Sequence, residues 1–156
     1  MKTIELFCGL VAKVDDEDYE RLRGLPWHRV AISQGHVYAG TRNGELMHRI
    51  ILGLPKGRNP VVDHENGDGL DNQRHNLRKA TFGQNLANSS RRSKSGFRGV
   101  REAKGGKTYK WVAQASAGTG RTVSLGCFET PEEAARAYDA HARARFGEFA
   151  RTNFPA

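Results

Sequence analysis

The sequence predicts an α+β chain built as two small domains, and three observations carry that reading. Charge is unevenly spread: residues 1–90 hold 12 Lys and Arg against 11 Asp and Glu, whereas residues 91–156 hold 13 against 6, which is nearly all of the net +8. The first part runs strand, long polar loop, strand, helix. The second runs three glycine-separated strands into one strongly capped helix.

The first segment, TIELFCGLVAKVDDEDYERLRGLPWHRVAISQGHVYAG, alternates short apolar runs with turn residues. It predicts short strands and a helical turn opened by Asp15 or Asp16. Trp27 and Tyr38 are its core aromatics, and His28 and His36 its partly exposed polar residues. In GELMHRIILGLPKG, Leu46, Ile50 and Leu54, with Met47 and Ile51, recur at four-residue spacing. That spacing predicts a short amphipathic helix stopped by Gly53 and Pro55, with His48 and Arg49 on its other faces and His48 in a packing role.

NPVVDH and NLRKAT predict two strands flanking the polar run, and Thr81 with Gln84 sits at capping-box spacing, so a helix starts there. SRRSKSG lacks apolar anchors and is basic, which suits both a linker at 91–95 and contact with phosphate. GFRGVRE, KWVAQAS and RTVSLGCF then predict an antiparallel meander. TPEEAARAYDAHARARFG predicts the firmest helix, with Thr130 as N-cap, Pro131 at N1, Glu133 closing a capping box and Gly147 as stop. The domains are accordingly 1–90, the 91–95 linker and 96–156.

A pI near 9.9 with charge concentrated in one region points to an anionic partner, nucleic acid before membrane surface. No apolar run reaches transmembrane length, and MKTIELFCGLVAKVDDED turns acidic too soon for a signal peptide. Cys8 and Cys127 are too few and too far apart for a disulfide framework or a four-thiolate zinc site. They read as small buried residues in an intracellular, cytoplasmic protein. No protein partner is evident.

VDHENGDGLDNQRHNL concentrates carboxylates, amides and imidazoles. An EF-hand starting at Asp63 fails, because its sixth position is Asp68 and its twelfth Arg74. An Asx-rich turn accounts for Asn66–Gly69 but not for Asp63 and His64 at the end of an apolar strand. Phosphodiester hydrolysis needs a base to activate water and a divalent cation to neutralise charge. His64 and Asp63 offer both, and Asn85 could add an oxygen.

At these residues, with MHRIIL upstream and QNLANSS downstream, the chain resembles the homing-type HNH endonucleases over most of residues 1–90. The resemblance implies a ββα-metal fold and one catalytic divalent cation, Mg2+ first, per active site. His64 would be the general base, Asp63 and Asn85 the metal ligands, and Asn76 a catalytic-loop residue that ties the loop together and orients His64. Asp68, Asp71, Asn72 and His75 would be loop residues.

Residues 96–155, ending in NFP, resemble the AP2 DNA-binding domain, which implies a three-stranded antiparallel sheet packed on one helix and laid in the major groove. Period-two alternation independently places Trp111, Ala113, Ala115, Val123, Leu125 and Cys127 toward the helix, and Lys110, Gln114, Ser116, Thr122 and Ser124 toward DNA. Arg98 and Arg101 match the family's first-strand arginines, although their odd separation requires a bulge or strong twist to share a face. Lys104, Lys107 and Arg121 supply phosphate affinity. Ser116, Thr122 and Ser124 stand where Arg, Arg and Trp are usual, and AKGGK replaces RPWG, so the plant target sequence does not carry over and readout should be looser.

The resulting expectation is a metal-dependent HNH DNA endonuclease placed on its target by an AP2-like domain. The rival is a sequence-specific DNA-binding regulator with a vestigial nuclease fold. A nuclease acting on RNA would keep the same site, but A-form RNA hides the groove that such a sheet reads.

Overall fold

A computed structural model describes residues 1–31, 36–57, 59–89, 93–105, 110–116 and 121–155. The chain divides into two compact units, Met1–Phe82 and Gly83–Ala156. This division falls before the expected 91–95 linker. Residues 91 and 92 lie outside the described residues, while Ser93 and Ser95 bond within the second unit, their hydroxyls donating to the carbonyls of Phe97 at 2.8 Å and Val100 at 3.0 Å respectively.

The first unit is three antiparallel hairpins with short helices between them. Strands β1 (Lys2–Glu5) and β2 (Val11–Val14) pair, as do β3 (His28–Ala31) with β4 (Val37–Gly40) and β5 (Val61–His64) with β6 (Leu77–Ala80). Helix α1 (Asp16–Leu22) follows β2, and α2 (Met47–Ile51) follows β4. Alternation puts Ile4, Ala12 and Val14 inward, where they meet Leu6, Leu22, Trp27, Ala39, Met47, Ile51, Val62 and Leu77 in one core. Trp27 Nε1 donates to the Leu22 carbonyl at 2.9 Å, which satisfies the indole inside that core.

In α2, His48 and Arg49 are both buried. Arg49 is drawn in because the turn after the helix leaves carbonyls to satisfy: its Nε and Nη1 donate to Pro55 and Pro60, both at 2.8 Å.

The second unit starts at Gly83, within α3 (Phe82–Ala87), a helix that begins directly after Thr81, and continues through β7 (Val100–Glu102), β8 (Trp111–Ser116), β9 (Thr122–Phe128) and α4 (Pro131–Phe146). The three strands form one antiparallel sheet in the order β7-β8-β9. Helix α4 starts as its residues dictate: Thr130 Oγ1 accepts from Glu133 N, Glu133 returns a carboxylate to Thr130 N, and Pro131 takes the first turn. Its buried Ala134 and Ala135 lie against Val100 and Ala113, small residues on both sides that let helix and sheet approach closely. Gly99 is required where the first strand begins. Its φ is +68°, and a Cβ there would stand 2.0 Å from the Tyr138 ring.

A β-bulge changes which residues face the helix. Ala113 pairs with Gly126, but the next residue, Gln114, pairs with Ser124, so β9 carries one extra residue at Leu125. Beyond the bulge Phe128 and Gly126, not Cys127, share a face with Trp111 and Ala113. Cys127 is therefore exposed, and Val123 is 43% exposed although it pairs with Ala115. Cys8 is exposed as well, in the turn between β1 and β2, so neither cysteine is the buried residue expected.

The carboxylate of Asp139, 1% exposed on α4, closes the unit. It accepts from Asn153 N and Nδ2 and from Phe154 N, at 2.8, 3.0 and 2.9 Å. Asn153 in turn accepts from Arg98 N at 2.7 Å and donates to Arg98 O at 3.2 Å. Among the described residues no helix is long and apolar enough to cross a membrane.

Asp139→Ala removes the buried acceptor of three half-buried donors. It should cost about 2 to 4 kcal/mol, the scale of a broken buried network, read as a lowered denaturant midpoint for exchange of the Val112–Ala115 amides. An unchanged midpoint would show that the tail is held some other way.

Candidate nucleic-acid interface

The polar run of the first unit joins β5 to β6, with Asp63 opposite Arg78 and His64 opposite Leu77. Its side chains bond mainly to one another. Asn76 Nδ2 donates to Asp71 O at 2.8 Å and to Asn66 Oδ1 at 3.1 Å, and Asn76 Oδ1 accepts from Asn66 N at 3.0 Å. Asn66 Nδ2 donates to Asp71 Oδ2, and Asp68 Oδ1 accepts from Leu70 N in an Asx turn. The run is also lashed to the N-terminal hairpin. Asn72 N donates to Lys13 O, Asp15 accepts from Arg74 N at 2.7 Å, and the Arg74 guanidinium meets buried Asp18 at 2.8 and 2.9 Å.

The buried His64 and His48 form a ring cluster with half-buried Tyr38, the two imidazole centroids 5.1 Å apart and edge to face. Burial, then the neighbouring His64 and Arg49, pushes His48 from 6.5 down to about 3. Burial also lowers His64, opposed by Asn72 and by the carboxylates of Asp63, Asp68 and Asp71. The same burial, with the Asp63 charge, raises Tyr38.

The residues expected to hold magnesium, Asp63 and Asn85, lie on β5 and α3. Arg78 pairs with the Asp63 carboxylate, with Nε at 3.1 Å and Nη2 at 2.5 Å from Oδ2. Asn85 lies on α3, whose C-terminal carbonyl at Ala87 accepts from Arg98 Nη2 and so ties that helix to the second unit. Among the described residues no group of three or more His, Cys, Asp or Glu is placed to hold a metal.

The outward face of the second unit's sheet is different in kind. Register sets it out in rows: Arg101, Val112 and Cys127, then Gln114 and Ser124, then Ser116 and Thr122. Arg101, Ser116, Thr122 and Ser124 are exposed, and Gln114 is half-buried. Lys104, Lys110 and Arg121 stand exposed around the strand ends, and Lys107 lies outside the described residues. Glu102 belongs to the opposite row, paired with Trp111, so none of these outward rows carries a carboxylate.

Arg98 does not join this face. It is 8% exposed, its backbone is clasped by Asn153 and its guanidinium is turned to Ala87, which corrects its expected DNA contact. No bulge brings it level with Arg101; the one bulge in the sheet register lies in β9. The bond from Arg101 Nε to Gln114 Oε1, at 3.0 Å, was not foreseen, because cross-strand neighbours depend on register.

No protein-family model matches the chain. Curated relatives are similar over part of it. Dehydration-responsive element-binding protein 2A of Arabidopsis thaliana is 47% identical over 64 residues, 40% of this chain and 18% of that protein. The protein of the same name from Oryza sativa subsp. indica is 48% identical over 63 residues, 40% of this chain and 22% of its own length. Ethylene-responsive transcription factor ERF084 of Arabidopsis thaliana is 50% identical over 60 residues, 38% of this chain and 22% of its length. The chain thus spans about a fifth of the length of these relatives. Over the matched stretch it is homologous to AP2/ERF-type DNA-binding domains. These findings overturn the expected endonuclease: the relatives found are element-binding proteins and transcription factors, none named as a nuclease.

The ring cluster gives the first unit a pH dependence of stability. Between 6.5 and about 3 the unfolded chain binds a proton on His48 that the folded unit excludes. The contribution is complete above that window and is lost as pH falls through it. Denaturant midpoints for the β5 and β6 amides should therefore drop between pH 7 and pH 5, and His48→Phe should flatten the slope. A slope unchanged by that substitution would assign the dependence to other groups.

Proposed function

We propose that this chain is a sequence-specific binder of double-stranded DNA, a regulator in kind, which reads the major groove with the outward face of β7–β9. The observation that carries the reading is that face itself: an arginine, an amide and three hydroxyls in register, ringed by Lys104, Lys110 and Arg121 and free of carboxylates. The homology to AP2/ERF-type domains supports it.

The dimensions agree with the chemistry. Three strands about 4.8 Å apart span roughly 10 Å, which a B-form major groove about 12 Å wide accepts. Arg101, Ser116, Thr122 and Ser124 would meet base edges, and the three outer cations would meet phosphates, fixing the register without reading sequence. The deep, narrow major groove of A-form RNA would exclude the sheet. In a regulator the first unit has no reaction to perform, and an Asp63 already paired with Arg78 suits a structural hairpin. Such a protein acts wherever the genome lies, which replaces the cytoplasmic setting expected from the sequence.

Fluorescence anisotropy of the full chain on a duplex pool should show affinity falling steeply as salt rises. Lys110→Ala should weaken all duplexes alike and reduce the log–log salt slope by about one. Equal affinity for duplex RNA, or binding indifferent to salt, would defeat the proposal.

A further inference from the structure

The geometry points to Gln114 as a positioning residue for base recognition: by holding Arg101 at Nε, it presents the outer edge of that guanidinium to a guanine. The inference rests on the major-groove reading above and concerns what sets the sequence preference of that same face.

Arg101 is the one arginine in the outward rows, and alone it would be poorly aimed. Its side chain is exposed, and a free arginine has several rotamers of similar energy. Two acceptors fix it. Gln114 Oε1, on the neighbouring strand and one row along, takes the Nε hydrogen at 3.0 Å, and the Glu102 carbonyl takes one from Nη1 at 3.1 Å. What remains free is the guanidinium's outer edge, with hydrogens on both terminal nitrogens. That paired edge matches the O6 and N7 acceptors of guanine in the major groove.

Gln114 is itself well held. Its backbone N donates to the Gly99 carbonyl at 2.7 Å, directly beside the bulge that brings Ser124 opposite it. Its half-buried stem therefore moves less than the arginine it supports. Because Oε1 faces Arg101, the amide nitrogen is turned away from the guanidinium. The pair acts as a unit in which Gln114 restricts and Arg101 reads.

The test is selection and sequencing of a duplex pool with a randomised core, using the full-length wild type, Arg101→Ala, Gln114→Leu and Gln114→Glu, with anisotropy on the winning duplex. The wild type should enrich guanine at one position, and Arg101→Ala should abolish that preference. Gln114→Leu keeps the stem but removes the acceptor. It should lower the preference at the same position by about tenfold, while affinity for the unselected pool falls less than about threefold. Gln114→Glu restores an acceptor, so the guanine preference should return although the added negative charge weakens all sequences.

A guanine preference untouched by Gln114→Leu would overturn the inference, as would a loss at a different base pair, since Gln114 would then be reading a base itself. A wild type with no affinity for duplex DNA would bring down the underlying reading first. A wild type that binds and selects while Gln114→Leu behaves normally would bring down this inference alone.

Discussion

The second unit depends on one buried carboxylate. Asp139 sits on α4, and its charge is tolerated because amide donors from the C-terminal tail converge on it. Those bonds fix Asn153, whose side chain then clasps both backbone polar groups of Arg98. The clasp delivers the chain to Gly99, where the Tyr138 ring leaves no room for a side chain, and so starts β7 in register with β8. The aim of Arg101 on the outward face is thus set from the far side of the sheet. Phe154, next to Asn153, completes the closure, its ring 5.7 Å from Phe97 and under the Arg136 guanidinium.

Elements were legible in the sequence where local chemistry decides them. The Thr130–Glu133 capping box with Pro131 names the start of α4 without reference to anything distant. The three strands were legible for the same reason, as β-branched runs between glycines. Faces were not. Alternation assumes an unbroken register, and the extra residue of β9 reverses the assignment from Cys127 onward. Gly126, in the interior of that strand with φ at +136°, was the available signal, since glycine inside a strand pattern marks a bulge. Arg98 misled differently: a motif match says which residue is present, whereas its burial follows from an asparagine 55 positions later.

The first unit shows how one set of residues supports two readings. Asp, Asn and His around a strand end are what a cation and a base require, and equally what a long loop requires to satisfy itself. In the fold the second use is visible at several of these positions. Asn76 and Asn66 exchange bonds, Asp71 takes the remaining amide, and Asp15 leaves its helix uncapped to accept from Arg74 and Gln73. Asp63, the residue a cation would need first, is matched by an arginine facing it across the hairpin. Sequence order could not separate these readings, because the Asp63–Arg78 pair exists only once β5 and β6 are in register.

The make-up of the outward face also decides where specificity can reside. Ser116, Thr122 and Ser124 carry hydroxyls, which donate or accept as the neighbour demands and so discriminate weakly among bases. Cys127 offers a soft surface, suited at most to a thymine methyl, and Val112 beside it is buried. That leaves Arg101 as the outward group with fixed donor geometry, and an arginine discriminates only as well as it is aimed. A face so dependent on one guanidinium gains more from restricting it than from adding another contact, because the ordering cost is met before DNA arrives. The bulge that reverses half of β9 is what seats Ser124 opposite Gln114, so the irregularity that hid the face from the sequence also shapes the row that supports its arginine.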